Sequence, residues 1–334
     1  LSAPAPPPPR DAMSRCECHD CLKKSDVSPA MRIVSLLPAA TEWIGAFGAA
    51  QDLVGRSHEC NYPPSVRSLP AVTSAGFDDT GDSAEIDAAV KDTLQQGLSL
   101  YNVDMEALRS LDPDLIVTQD QCEVCAVSFS QLKDAVATWD GDAGPDLMSL
   151  KPATFKEVLD GALRLGRKIG RATDAMRVIA DGEMRLQRLR GLLGIDRRVE
   201  PESLPSVACI EWLDPLMTAA HWMPDVAEHA GARCVLSEKG EASPRIDFDD
   251  LRTKDPHAIA IMPCGFTVDQ TVADLDRLTG RAGWRDLTAV QNGRVAVLDG
   301  DAYFNRPGPR LVRSRSEERR VAKECATGCR SRWS

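Results

Sequence analysis

Aromatic residues are scarce in this chain, since Phe, Trp and Tyr together supply only 5% of its 334 residues. No window approaches the roughly 18 uninterrupted apolar residues that a membrane-spanning helix needs, so we expect no membrane span. A basic excess is also missing, because the formal charge is -10 at pH 7, and this argues against a nucleic-acid partner. Neither a glycine-rich phosphate loop nor a G-x-S-x-G elbow occurs, which counts against nucleotide use and serine hydrolysis.

The 11 cysteines do not indicate a disulfide framework, because they are odd in number and spread along the chain. This usage favours reduced thiols, and we therefore expect the cytoplasm or another reducing compartment, with the true N-terminus left open by the start at Leu1. Residues 1–31 are expected to be a disordered leader, because they open on a Pro and Ala rich run. Within that leader a cluster of potential zinc ligands is the alternative to a flexible tail with reduced thiols: Cys16, Cys18, His19 and Cys21.

Strand and helix signals alternate in two separate parts of the chain. With 43% hydrophobic residues the chain can bury a large core, and its length favours two domains over one. The first part predicts strands at 32–37, 53–54 and 115–117, and helices at 41–47 and 104–111. The second part predicts strands at 207–210, 234–236, 258–262 and 295–298, and helices at 224–230 and 249–253. Such alternation predicts parallel sheets covered by helices on both faces.

The segment from Thr154 to Gly194 separates these two parts and is predicted to be helical almost throughout. Thr154 and Glu157 form a capping box for a first helix that ends at Ile169, and a second helix begins near Thr173. One apolar stripe recurs along the second helix: Ala175, Ile179, Gly182, Leu186, Leu189 and Leu193. We predict an α/β fold with two lobes of mostly parallel sheet, at 32–153 and 203–312, joined by a single long helix within 154–194. An ordinary surface helix of one α/β domain is the alternative.

Chemically versatile residues follow the predicted strands, where ligands bind in open parallel sheets. We predict a cleft between the lobes that is lined by His58, Glu59, Cys60, Gln119, Asp120, Glu211, Trp212, His221, Trp222, Phe266, Tyr303, Phe304, Asn305 and Arg306. Four thiols are predicted to converge there as ligands of a soft or borderline metal: Cys60, Cys122, Cys125 and Cys264. Trp212 and Trp222 have packing in the core as their alternative, and the strand residues Cys209 and Cys234 are assigned to the core.

Three runs carry a resemblance to a known family. They are Arg-Ile-Val-Ser-Leu-Leu-Pro-Ala-Ala-Thr-Glu from Arg32, Val-Gly-Arg-Ser-His-Glu-Cys-Asn-Tyr-Pro-Pro from Val54, and Asp-Pro-Asp-Leu-Ile-Val from Asp112. They resemble the cobalamin and iron-siderophore substrate-binding proteins of ABC transporters, whose two lobes are joined by one long helix. A branch without secretion signals resembles the chain further, at Gln-Asp-Gln-Cys-Glu-Val-Cys from Gln119 and at Tyr-Phe-Asn-Arg-Pro-Gly-Pro from Tyr303.

The resemblance covers about residues 32–312 and implies a small-molecule ligand, cobalamin or another metal complex, together with a transporter or a downstream acceptor protein. A corrin would need a flat apolar clamp, for which the chain offers Trp212, Trp222, Tyr303 and Phe304. Residues 313–334 depart from the family, and we expect them to be a non-native tail. The alternative function is a metal-dependent or thiol-redox enzyme on the same scaffold, with Glu59 or Glu211 as general base. We favour the binding module over the enzyme.

Overall fold

Two α/β lobes and a helical connector make up the part of the chain that the structure describes. The structure is a computed structural model, and it describes residues 31–96, 99–119, 129–137, 139, 144–195 and 200–312. Both lobes belong to one compact unit that begins at Met31. The predicted leader, except Met31, and the predicted tail at 313–334 lie outside the described residues. Among the described helices, none is both long and apolar enough to cross a membrane.

The first lobe is built on a four-stranded parallel sheet with the order β2-β1-β5-β6. Its strands are β1 (Ile33–Ser35), β2 (Leu53–Arg56), β5 (Leu115–Gln119) and β6 (Asp146–Leu150). A separate antiparallel pair consists of β3 (Thr73–Ala75) and β4 (Tyr101–Val103). The helices of this lobe are α1 (Pro38–Ala46), α2 (Ser83–Gln95), α3 (Met105–Ser110) and α4 (Phe129–Ala137).

The alternation that predicted parallel sheets is confirmed here, but one predicted helix start was wrong. Helix α1 begins at Pro38 and not at Thr41. Proline suits the first turn of a helix because its missing N–H would have no intrahelical partner there and its φ is already helical. The side chain of Thr41 therefore does not cap the helix; its hydroxyl lies 2.8 Å from the hydroxyl of Ser35 in the core.

The connector follows the predicted capping signals closely. Helix α5 runs from Phe155 to Lys168, with the Glu157 N–H donating to Oγ1 of Thr154 at 3.3 Å. Gly170 then adopts a φ of 69°, a left-handed conformation that ends the helix at little cost for glycine. Helix α6 continues over 21 residues, from Ala172 to Leu192. Of the predicted apolar stripe of α6, Ala175 and Gly182 are buried.

The second lobe carries a five-stranded sheet in which β11, β10 and β7 run parallel, β9 pairs parallel with β7, and β8 pairs antiparallel with it. The strands are β7 (Ser206–Trp212), β8 (Met217–Thr218), β9 (Arg233–Cys234), β10 (Ala258–Ile261) and β11 (Val295–Val297). The helices are α7 (Met223–His229), α8 (Phe248–Lys254), α9 (Val268–Asp274), α10 (Asp276–Thr279) and α11 (Thr288–Gln291). A π-helical turn at Gly300–Phe304 follows the last strand.

One apolar cluster is continuous across both lobes and the connector. It joins Trp43 of the first lobe and Leu165 of the connector to Met262 and Phe304 of the second lobe. Burial of this cluster is the main stabilising contribution that the two lobes share. The lobes are consequently packed against each other through this cluster, which we call the shared base.

Candidate functional site between the lobes

Arg306 of the second lobe reaches across to the first lobe. It donates from Nη1 to Oδ1 of Asn61 at 2.8 Å and from Nη2 to the Glu59 carbonyl at 3.3 Å. The same guanidinium is held from its own lobe by Asp301, at 2.5 Å. Arg306 therefore joins the loop after β2 to the segment after β11, and these are two of the loops that the sequence predicted to meet.

The turn that presents Asp301 requires glycine at its first residue. A Cβ on Gly300 would lie 2.2 Å from the carbonyl oxygen of Pro263, a distance that no real side chain adopts. The close approach brings the segment after β11 onto the loop after β10, where Cys264 lies. The geometry thus gathers the carboxyl ends of adjacent strands, as expected for an open parallel sheet.

An acidic group surrounds Cys264 at this junction. Desolvation by the surrounding protein, together with the negative charges of Glu211, Glu59 and Asp301, raises the pKa of the Cys264 thiol to about 12, and the charge of Arg306 opposes this shift. The residue as a whole is nevertheless exposed to solvent. The charges that act on its thiol come from both lobes, Glu59 from the first and Glu211 and Asp301 from the second, so Cys264 lies in a recess between the lobes. Its thiol is protonated at neutral pH and is a poor nucleophile there.

Glu211 is the second-to-last residue of β7 and lies at the same recess. Burial raises the pKa of its carboxyl to about 7, an effect that a hydrogen bond with Ser243 only partly offsets. No salt bridge involves Glu211 among the described residues. An unpaired, largely desolvated carboxyl of this kind can accept a hydrogen bond from a ligand or exchange a proton with it near neutral pH.

The predicted thiol cluster is only partly within the described residues. Cys60 is fully buried and faces into the first lobe, where the Thr41 hydroxyl donates to its Sγ at 3.0 Å. Burial raises the pKa of the Cys60 thiol to about 11. Asp120, Cys122 and Cys125 lie outside the described residues, so the predicted metal site stays a prediction. Within the described ranges, no three His, Cys, Asp or Glu side chains are grouped to hold a metal ion.

The predicted aromatic residues divide between the cleft and the core. Trp212 is half-buried and packs edge-on against Phe266, with ring centroids 5.3 Å apart. Trp222 is buried and donates from Nε1 to the carbonyl of Phe304 at 2.9 Å, and Phe304 is buried too. Tyr303 is partly exposed and lies beside the guanidinium of Arg310, 5.7 Å from its ring centroid.

The remaining predicted residues have defined partners or positions. His58 shares a 2.7 Å hydrogen bond with Oγ1 of Thr73. The amide of Asn305 donates to the carbonyl of Met262 at 3.0 Å. Burial lowers the pKa of His221, whose ring stacks on Trp222. Gln119 ends β5 at the carboxyl edge of the first sheet. The hydrogen bonds of His58 and Asn305 therefore stabilise the loops that contain these residues.

The model of the family described as "Periplasmic binding protein" matches residues 33–302. The chain belongs to that family. Among known proteins it is similar to a vitamin B12-binding protein of Vibrio cholerae, with 24% identity over 288 residues, or 85% of this chain and 86% of that protein. The chain also keeps the two-lobed fold of solved relatives with a long connecting helix.

Solved structures of other periplasmic binding proteins share the fold. The periplasmic vitamin B12 binding protein BtuF of Vibrio cholerae has a TM-score of 0.60 and 23% identity, over 86% of this chain and 94% of that one. A periplasmic heme-binding protein of Pseudomonas aeruginosa has a TM-score of 0.59 and 22% identity, over 81% and 85%. The heme-binding RhuT of Roseiflexus has a TM-score of 0.61 and 19% identity, over 89% and 99%.

Sequence reasoning missed two residues at the cleft. Tyr101 donates from its hydroxyl to Oε1 of Glu59 at 3.0 Å, and Asp301 holds Arg306. The sequence could have indicated Asp301 as a cleft residue, because it lies between a predicted strand and the aromatic pair at 303–304. Tyr101 gave no such signal, because β4 pairs with β3 outside the main sheet and its contact with the loop after β2 is tertiary.

Proposed function

We propose that this chain takes up cobalamin or a related metal complex in the cleft between its lobes and delivers it to an ABC transporter or another acceptor protein. The observation that carries the proposal is the contact of Arg306 with Glu59 and Asn61, because it couples the two lobes at the edge where ligands bind in such sheets. The names of the vitamin B12-binding and heme-binding relatives support a large, flat metal complex as the ligand.

The chemistry of the cleft supports a ligand with both an apolar face and polar edges. Trp212 and Phe266 supply an aromatic edge, while Glu59 and Glu211 supply acceptors for amide or amine groups. Arg306 can release a protein acceptor and donate to a ligand carboxylate or carbonyl in its place. The predicted lining set, including His221, Trp222, Tyr303 and Phe304, stays a proposal for the loaded state.

We also propose the cellular compartment in which the protein acts. The described residues hold four free cysteines, and the sulfur atoms of Cys209 and Cys234 lie 3.6 Å apart without a bond. Thiols of this kind are typical of a reducing compartment, and we propose the cytoplasm, although the family is described as periplasmic. Fractionation of cells into periplasm and cytoplasm checks this, and recovery of the chain in the periplasmic fraction would contradict it.

The test begins with the absorption spectrum and metal content of protein purified without added ligand. We then expect cyanocobalamin or hemin, titrated separately, to quench tryptophan fluorescence to saturation at one equivalent. Trp212→Phe should reduce the quenching and weaken affinity by about fivefold to tenfold, the effect of one aromatic contact. Trp139→Phe is the matched control, because Trp139 lies in the first lobe beside Arg109 and away from the proposed contacts.

Two results would contradict the proposal. One is the absence of saturable binding for both cyanocobalamin and hemin, and the other is equal loss of affinity in Trp212→Phe and Trp139→Phe. Iron or zinc with thiolate absorption bands in the purified protein would instead favour the metal-dependent enzyme. The relatives named above are binding proteins, which is why we do not propose that enzyme as a second function.

A further inference from the structure

A second inter-lobe contact closes the cleft at the first turn of α2. Asp82, the N-cap of that helix, forms a salt bridge with Arg277 of the second lobe. The Ser83 N–H donates to Oδ2 of Asp274 at 3.0 Å. Arg277 also holds Asp274 at 2.8 Å and Asp214 at 3.0 Å. We name Arg277, Asp82, Ser83 and Asp274 the Arg277 clasp.

The Arg277 clasp is buried on one side only. Ser83 is 0% exposed and Asp274 is 7% exposed, whereas the side chains of Arg277 and Asp82 are 31% and 33% exposed. Ser83 is buried although it begins a helix of the first lobe whose other side chains are mostly accessible. The burial of Ser83 therefore comes from its contact with the second lobe. A buried carboxylate such as Asp274 is stable only when it is paired, and here it has both a guanidinium and a backbone N–H.

The charge balance of the clasp depends on one residue. Among the described side chains, Arg277 bridges three carboxylates, those of Asp82, Asp214 and Asp274. Loss of its charge would leave these like charges facing each other across the two lobes, while the Arg245–Asp87 salt bridge at 3.1 Å would still join α2 to the second lobe. Lysine would keep the charge, but it lacks the planar fork that lets arginine hold several carboxylates together.

Trp212 links the Arg277 clasp to the cleft. Its indole Nε1 donates to the Ser83 carbonyl at 3.1 Å, and its ring packs on Phe266. The neighbour of Trp212 in β7 is Glu211, which faces the recess around Cys264. Movement of α2 away from the second lobe would therefore release the indole that borders the proposed ligand.

We infer that Arg277 is a positioning residue for ligand binding: by holding the first turn of α2 against the second lobe it fixes Trp212 at the cleft edge and slows ligand release. The ligand part of this inference rests on the proposed function. The clasp part does not, because it concerns the ligand-free protein. Among the described side chains, Arg277 contacts no predicted ligand-lining residue directly. Its connection to Trp212 runs through Ser83.

The first experiment measures hydrogen exchange in the full chain without ligand. Arg277→Gln should speed exchange of the amides at 83–87 by about fivefold, and Arg277→Lys should restore part of the protection. Arg252→Gln is the matched control, because Arg252 pairs with Asp249 at 2.9 Å within the second lobe. Unchanged exchange at 83–87 in Arg277→Gln, or an equal change in Arg252→Gln, would overturn the clasp.

A double-mutant cycle isolates the contact between the lobes. Asp82→Asn keeps a good N-cap for α2 while removing the charge that meets Arg277. Asp82→Asn and Arg277→Gln combined should therefore accelerate exchange less than the product of the two single effects. Multiplicative effects would show that the two side chains do not act on each other, and would overturn the inference.

The second experiment follows cyanocobalamin dissociation by stopped flow. Arg277→Gln should raise the dissociation rate by about fivefold with a smaller change in the association rate, and high salt should produce the same trend in the wild type. Faster exchange at 83–87 together with a wild-type dissociation rate would overturn the positioning role. If wild-type protein binds no cyanocobalamin, the proposed function fails while the hydrogen-exchange result still decides the clasp.

Discussion

Glu211 is the residue whose chemistry depends most on its surroundings. It follows four strand residues that are buried, Val207 to Ile210, and it ends at a recess shared with Cys264. Burial raises the pKa of its carboxyl to about 7 from an ordinary value of 4.5. On folding, the carboxylate of Glu211 loses hydrating water and gains no cation in exchange. The carboxyl proton is therefore bound more tightly in the folded protein than in the unfolded chain.

This pKa predicts that the cost of Glu211 to stability appears only at higher pH. The carboxyl is neutral in both states below about pH 4.5, and the cost grows as pH rises through about 7, where the folded state also loses the proton. Glu211→Gln should therefore raise the free energy of unfolding by up to about 3 kcal/mol at pH 8 and by much less at pH 5. Denaturant titrations at both pH values measure the difference.

Glu183→Gln is the control for this pH effect, because Glu183 is exposed on α6. It should change stability by less than about 0.5 kcal/mol at either pH. A gain in Glu211→Gln that is equal at pH 5 and pH 8 would mean that packing and not ionisation distinguishes the two side chains.

At the same scale, three consecutive residues mark the limit of sequence reasoning. His58, Glu59 and Cys60 were predicted as one group because they share the loop after β2. In the folded chain His58 binds Thr73, Glu59 binds Tyr101 and Arg306, and Cys60 is buried beside Thr41. The sequence predicts that such a loop lies at the sheet edge, but the direction of each side chain depends on contacts made by residues distant in the chain.

Among the secondary-structure elements, the connector was the most predictable. The capping box at Thr154, the glycine stop at Gly170 and the apolar stripe of α6 are local signals that depend on few neighbours. The described elements that were not predicted are the helices α2, α4, α9, α10 and α11 and the strands β3, β4, β6 and β8. In α2, Ser83 is buried against the second lobe, a tertiary contact that leaves only a weak amphipathic pattern in the sequence.

The pair of helices in the connector predicts opposite effects for two glycines of α5. A Cβ on Gly166 would lie 2.4 Å from Cβ of Ala175 in α6, whereas a Cβ on Gly161 would meet only Cδ2 of Leu150, at 3.5 Å. Gly166→Ala should lower the free energy of unfolding by about 1–3 kcal/mol through overpacking. Gly161→Ala should raise it by about 0.5–1 kcal/mol, since alanine loses less backbone entropy in a helix.

Urea unfolding midpoints of these two variants provide the measurement, and each serves as the control for the other. Both changes add one methyl group to the same helix, so a difference between them reports the surroundings and not helix propensity. Equal stabilisation by both substitutions would mean that α5 and α6 can separate without cost at this contact.

In the whole molecule, the segment after the π-helical turn returns to the first lobe. Arg310 makes a two-pronged salt bridge with Glu42 of α1, at 2.9 and 2.5 Å, and its guanidinium lies 4.4 Å from the ring centroid of Tyr62. Glu42 is only 2% exposed. Burial raises the pKa of Glu42, and Arg310 and Arg306 oppose that shift.

The buried pair at Glu42 predicts a large loss of stability when one partner is removed. Glu42→Gln leaves the Arg310 charge without its carboxylate in a mostly buried place, and this should cost about 3–5 kcal/mol. Asp174→Asn, which breaks an exposed pair with Arg177 on α6, should cost less than about 0.5 kcal/mol. Thermal unfolding of both variants compares them, and similar midpoints would contradict a joining role for the pair.

Several connections therefore limit how far the lobes can move. They are the connector helices, the Glu42–Arg310 pair, the contact of Arg306 with Glu59 and Asn61, the Asp87–Arg245 pair and the Arg277 clasp. The clasp and the Asp87–Arg245 pair hold α2 against the second lobe, while the continuous apolar cluster forms the shared base. A continuous helix such as α6 resists bending, whereas paired loops would act as hinges. We therefore expect ligand binding to close the cleft by a small angle, with motion concentrated at α2.

Solution scattering with and without cyanocobalamin tests this expectation on the full chain. The radius of gyration should change by no more than the uncertainty of the measurement, because the shared base keeps the distance between the lobe centres nearly constant. Arg277→Gln should widen the cleft edge without a large increase in that radius, since the Glu42–Arg310 pair and the apolar cluster remain. A marked compaction on binding would contradict the rigid base, and it would place the hinge in the connector between α5 and α6.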